Sequence, residues 1–147
     1  MHSKLNQATK LYAIQISPIN ALAVTLTMKQ FCKDYLYLDD IKCHTNFRHF
    51  INRVNYKLFG KRFKRFGKSL KVFSSLEKKD RWHFHIAIEH PTNISTESFK
   101  ALIIDSWGKT HYGYKQIKIK PVINIGWADY ITKFANRLDE IDWENCT

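Results

Sequence analysis

The chain has 147 residues, 44% of them hydrophobic, which suits one domain with a sizeable core and argues against disorder. A net charge of +11 predicts attraction to polyanions. No apolar run approaches the ~20 residues of a membrane span, and no signal-peptide pattern opens the chain. Cys32, Cys43 and Cys146 form no CxxC pair, which argues against a disulfide scaffold and a thiolate zinc site, so a reducing, intracellular location is expected.

In chain order, residues 1–18 show weak periodicity and read as a flexible arm or an added edge strand. Ala21–Met28 alternates, with Leu22, Val24, Leu26 and Met28 on one face, as a half-buried strand does. From Asn46 to Leu58, Phe47, Phe50, Ile51, Val54 and Leu58 recur at helical spacing, with Asn46 as the expected N-cap and Gly60 past the end. A basic stretch punctuated by Gly60 and Gly67 follows. Ser69–Glu77 and Trp82–Glu89 read as two strands joined by a polar turn within Lys78–Arg81, with Pro91 ending the second. Ser95 is expected to cap a helix that buries Phe99, Leu102, Ile103 and Trp107 and closes at Gly108. A strand over Tyr114–Lys120, stopped by Pro121, precedes a helix from about Gly126 to Leu138. The end of the chain, residues 139–147, is an acidic tail carrying Asp139, Glu140, Asp142 and Glu144.

The order strand, helix, strand, strand, helix, strand, helix predicts an α+β fold. Its core is a ferredoxin-like (RRM-like) βαββαβ layer, an antiparallel sheet with helices on one face. The other sheet face is expected to stay open, and the single domain to span the chain.

The central feature lies in Arg81-Trp-His-Phe-His-Ile-Ala-Ile-Glu89. On a strand, Trp82, Phe84, Ile86 and Ile88 share the apolar face while His83 and His85 share the other. Same-face neighbours stand roughly 6.5–7 Å apart, which lets two imidazoles converge on one ion. A three-residue loop pairs Glu77 with Arg81 or His83 and puts its carboxylate on the histidine face; a two- or four-residue loop turns it away. Two imidazoles and a carboxylate suit Mg²⁺, Mn²⁺ or Zn²⁺. Glu89 and His90 are rival ligands, and Asp80 belongs to the turn. Plain solvated surface is the competing reading of the pair.

In Gly126-Trp-Ala-Asp-Tyr-Ile-Thr-Lys133, Tyr130 and Lys133 are helical i, i+3 neighbours. An ammonium favours the phenolate, which can attack phosphorus and form a covalent ester. Taken alone, Tyr130 flanks the apolar stripe and reads as a packing residue.

Together, the strand Ala23-Val-Thr-Leu-Thr27, Glu77 upstream of His83-Phe-His85, and Tyr130-Ile-Thr-Lys133 resemble the HUH endonucleases. The likeness is nearest to the single-tyrosine replication initiators of rolling-circle plasmids and phages, and it covers roughly residues 20–137. The resemblance implies a nuclease that nicks and rejoins single-stranded or hairpin DNA at an origin. It implies Glu77, His83 and His85 as ligands of Mn²⁺ or Mg²⁺, Tyr130 as nucleophile, and Lys133 as its companion at the phosphate. Thr25 and Thr27 match the family's first motif, taken to support the core and the DNA face. The chain shows no GxxxxGK[ST] phosphate loop, so unwinding is expected to come from a host helicase. A single-tyrosine transposase of small insertion sequences resembles the same layout, and a non-catalytic nucleic-acid-binding module is the reading from another class. Monomer and homodimer are both open.

Seven basic residues, Lys57, Lys61, Arg62, Lys64, Arg65, Lys68 and Lys71, stand in one segment without an acidic residue. Phe59, Phe63 and Phe66 interleave with them. Charge neutralisation of phosphates with base stacking holds single strands, so the segment is a candidate DNA contact; its aromatics are equally compatible with core positions.

Overall fold

Alternating apolar and small side chains make β1 (Ala21–Met28), and its position in the middle of the sheet explains why Leu22, Val24, Leu26 and Met28 are all buried. The structure is a computed structural model that describes residues 21–32, 36–79 and 81–121. A short pair, β2 (Phe31–Cys32) with β3 (Leu36–Tyr37), precedes the first helix.

Helix α1 (Asp40–Phe59) begins well before the expected Asn46. Asp39 is the N-cap, its carboxylate accepting the Lys42 N–H at 2.8 Å. Asn46 lies inside the helix instead, 2% exposed. Its amide donates to Thr110 Oγ1 and its carbonyl accepts from the Tyr112 N–H, each at 3.0 Å. An asparagine's affinity for backbone groups serves a tertiary clamp as well as a cap, and a sequence does not tell the two apart. Gly60 ends α1 at φ +57°. The basic stretch then winds into a six-residue helix, α2 (Lys61–Phe66), closed by Gly67 in the left-handed region.

The central hairpin pairs β4 (Val72–Lys79) with β5 (Arg81–Glu89), both running closer to the turn than expected. Ser95 caps α3 (Thr96–Gly108) as expected, accepting the Ser98 N–H at 3.1 Å. Strand β6 (Gly113–Pro121) completes the sheet.

Strand order is β4-β5-β1-β6, with every neighbour antiparallel. Helix α1 links β1 to β4 and α3 links β5 to β6, each crossing over an intervening strand. The described chain is α+β, with a four-stranded antiparallel sheet and three helices, compatible with a ferredoxin-like core. The core fills the space between α1, α3 and one sheet face. Phe47 stacks on Phe84 at 4.7 Å, and Trp107 meets Phe50 edge-on at 5.5 Å. Trp107 also donates its indole N–H to the Thr27 carbonyl at 2.9 Å, tying α3 to β1.

The second sheet face is not open along its whole length. Register puts Ala21, Phe73, Ser75 and Ala87 there, and all four are buried. Phe73 and its partner Ala87 make that row apolar, which favours exclusion of water. Towards the hairpin the same face turns polar and half-buried.

Cys43 is a free buried thiol, and burial pushes it up, so it is unreactive. No helix among the described residues is long and apolar enough to cross a membrane. The N-terminal arm, the helix expected near 126–138 with Tyr130 and Lys133, and the acidic tail lie outside the described residues, as does Asp80.

Replacing Asn46 with alanine removes both clamp bonds and leaves the buried Thr110 hydroxyl and Tyr112 N–H short of a partner. The expected loss of stability is about 2–4 kcal/mol, read as a lowered urea midpoint at unchanged slope.

Candidate metal centre

The metal candidates are set by two ladders. β4 opposes Glu77 to His83 and Ser75 to His85, and β1 opposes Thr27 to His83 and Thr25 to His85. Directly opposed residues project to one side, so these side chains form two rows across the face remote from α1 and α3. The favourable register foreseen for Glu77 is the one adopted.

Within the rows, the Glu77 carboxylate Oε2 lies 2.8 Å from His85 Nε2 and 3.3 Å from His83 Nε2. The imidazoles are edge-to-face at 4.8 Å between centroids. Three ligand atoms, one from each residue, all fall within 4.8 Å of one another. Ligands at about 2.1 Å from one ion, at tetrahedral or octahedral angles, stand about 3.0–3.4 Å apart. The 3.3 Å separation falls in that interval, and the 2.8 Å one is a direct hydrogen bond that a bound ion would replace.

Hydrogen bonds on the far side of each ring aim the ligand nitrogen. His83 Nδ1 sits 2.7 Å from the Arg81 carbonyl, which can only accept; Nδ1 is therefore the donor there, and Nε2 is the nitrogen turned towards Glu77. His85 Nδ1 faces the Thr25 hydroxyl at 3.4 Å. That hydroxyl can donate to Nδ1 while His85 Nε2–H bonds Glu77, or accept from Nδ1–H in the tautomer that frees Nε2 for a metal. Thr25 is thus placed as an orienting partner of His85. Thr27 lies beside His83, and its carbonyl holds Trp107.

Burial of His85 lowers its pKa, with His83 adding to the effect and Glu77 opposing it. The ring is neutral near pH 7, the form that binds metal. Ser75, next to His85 in its row, has a buried hydroxyl with no hydrogen-bond partner among the described residues. Such an unpaired group costs about 1–3 kcal/mol and suits a site completed by an ion and its water. The donor set of two imidazole nitrogens and one carboxylate oxygen fits a borderline or hard divalent cation.

The rival ligands are engaged elsewhere. Glu89 accepts the Lys71 N–H at 3.3 Å. His90 bonds the Pro91 carbonyl at 2.6 Å and the Thr96 hydroxyl at 3.1 Å.

Lys57, Lys61, Arg62, Lys64, Arg65, Lys68 and Lys71 are all exposed, on the end of α1, on α2 and on the link to β4. Their aromatics divide. Phe59 packs partly against the core, Phe63 is half-buried, and Phe66 is 79% exposed and free to stack. This segment enters β4 at Val72, five residues before Glu77, which is about 17 Å of strand. It is therefore not part of the metal cluster.

Nearer the cluster stand two lysines that sequence reasoning passed over. Lys118 opposes Thr25 and Lys120 opposes Ala23, so both lie on the histidine face, and both are exposed. Their alternation with Ile117 and Ile119 was visible in the sequence; which face they took needed the β1–β6 register. Arg81 shares the face and lies over the Tyr114 ring at 4.9 Å.

No protein-family model, curated protein or solved structure matches the chain.

Mn²⁺ titrated into the protein near pH 7.5 should bind one equivalent at this cluster. Glu77→Gln and His83→Ala should each weaken binding by roughly 100-fold or more, since even supporting groups cost 10–100-fold. Lowering the pH weakens binding as protons compete for the imidazoles, and burial of His85 holds its share of that loss below the ordinary histidine range. Calorimetry of the three proteins across pH tests this; equal affinities would remove the site.

Proposed function

We propose that the chain is a metal-dependent endonuclease that nicks and rejoins single-stranded DNA through a 5′-phosphotyrosine at Tyr130, and so initiates rolling-circle replication. The observation that carries the reading is the convergence of Glu77, His83 and His85 on one sheet face. Lys118 and Lys120 on the same face supply positive charge where a phosphate backbone would run. The four-stranded antiparallel sheet is compatible with a ferredoxin-like core, the layer expected to carry such a site on one face.

Mn²⁺ or Mg²⁺ held by the three ligands would supply Lewis-acid polarisation of the scissile phosphate. Tyr130 Oη forms a bond to phosphorus while the bond from phosphorus to the 3′ oxygen breaks. The phenol gives up its proton to water, the Lys133 ammonium favouring the phenolate, and the departing 3′ oxygen takes up a proton as a hydroxyl. The new ester conserves a phosphodiester-like bond, so a 3′-hydroxyl can later reverse the step without a nucleotide cofactor. Exposed cations along α1 and α2 hold the rest of the strand by phosphate neutralisation.

Labelled single-stranded origin DNA incubated with Mn²⁺ and run on a denaturing gel should show a covalent protein–DNA adduct mapping to Tyr130. Tyr130→Phe should abolish the adduct while leaving binding within about twofold, and EDTA should abolish it in the native protein. An adduct that persists in the Phe variant removes the nucleophile assignment.

A further inference from the structure

The helix layer carries a cleft of about 310 Å³ lined by His49, Asn52, Arg53, Lys109, Thr110 and His111. It lies between the exposed side of α1 and the turn from α3 into β6, across the sheet from Glu77, His83 and His85. No carboxylate lines it among the described residues. The Asp105 carboxylate holds Lys109 of the lining at 3.0 Å with both groups more than half exposed. Solvent screening makes such a pair weak and exchangeable for another anion.

The two walls are fixed to one another. Asn46, one turn before His49, clamps Thr110 and Tyr112 from inside α1. The Thr110 hydroxyl donates to the Trp107 carbonyl at 2.6 Å, and Lys29 N–H bonds the Tyr112 carbonyl at 2.8 Å. Gly113 closes the turn where a Cβ would sit 1.9 Å from the Trp107 carbonyl oxygen. Lys109 and His111 are thereby presented to His49 and Arg53 on a rigid frame. Guanidinium, ammonium, amide and imidazole N–H groups around one small cleft match a tetrahedral oxyanion.

The basic segment follows the cleft along α1. His49, Arg53 and Lys57 recur every four residues and so line one face of α1. Tyr56, 52% exposed, has Lys64 of α2 over its ring at 5.3 Å. We propose that this cleft is a second nucleic-acid contact, seating a backbone phosphate of a strand that runs along α1 onto α2. The inference rests on the nucleic-acid reading of the basic surface and not on cleavage.

Fluorescence anisotropy of a labelled single-stranded oligonucleotide in EDTA, over about 50–200 mM salt, isolates binding from chemistry. The exposed pair Arg53→Ala/Lys109→Ala should lower affinity about tenfold near 0.1 M salt. It should also shallow the logarithmic salt slope by ~1.4, the value for two lost phosphate contacts on a single strand. Mn²⁺ affinity at the hairpin should stay the same; a parallel fall would trace the loss to a disturbed fold and overturn the proposal. Unchanged affinity and slope would overturn it too. Inorganic phosphate at the oligonucleotide's own concentration should displace nothing. Displacement there would make the cleft a free-phosphate site instead.

Discussion

The antiparallel register between β4 and β5 is the constraint from which the candidate site follows. Leu76 packs opposite Phe84 and Val72 opposite Ile88, on the core side. Shifting β4 by one residue would expose both, at about 1.5–3 kcal/mol each, and turn Glu77 into the core. An ionised carboxylate there costs several kcal/mol more. The hydrophobic core thus selects the register, and the register brings Glu77 beside His83 and His85. No metal is needed to assemble the three ligands.

From Phe73 and Ala87 towards the turn, the second face of the β4–β5 hairpin goes from buried to half-buried, while exposed Lys118 and Lys120 flank it on β6. Ala21, Phe73 and Ala87 are buried at one end, His85 and Ser75 follow, and Glu77 and His83 stand half-buried near the turn. That gradient matters chemically. A charge interaction strengthens as water is excluded, yet a ligand or substrate needs an approach. His85 takes the dry position with its proton kept off by burial, and His83 faces the wetter side with its orientation fixed by a backbone carbonyl. The cluster is preorganised from two directions, through Thr25 on β1 and Arg81 on β5 itself.

Much of this was legible in the chain because its signals are local. The alternation Trp82/Phe84/Ile86 against His83/His85 fixes which face each side chain takes, and Ser95 carries a cap in the few residues around it. Other features depend on contacts distant in sequence. Asn46 reads as a cap until Thr110 and Tyr112, more than sixty residues on, are known to meet it. Lys118 and Lys120 read as an ordinary solvated edge until β6 is paired with β1. The partial burial of the second face was invisible for the same reason, since Phe73 and Ala87 meet only through the hairpin register. The six-residue α2 follows from Gly60 and Gly67 setting its two ends, in a stretch whose charge pattern has no helical stripe.

Charge and coordination make different geometric demands, and the fold separates them accordingly. Metal ligation tolerates only a few tenths of an ångström, and the three candidate ligands sit on the hairpin, with β1 beside them and half or more of their surface buried. Attraction to a phosphate backbone, in the proposed reading, acts over a Debye length of about 8–10 Å and averages over side-chain motion, so lysines and arginines on exposed helix ends suffice for it. The Asn46 clamp is the exception in the helix layer. It spends a buried amide on fixing Lys109 and His111 against α1, which bulk electrostatics would not require. A rigid frame beneath exposed cations favours one seated phosphate over a diffuse counter-ion cloud, because the orientation is set before the ligand arrives.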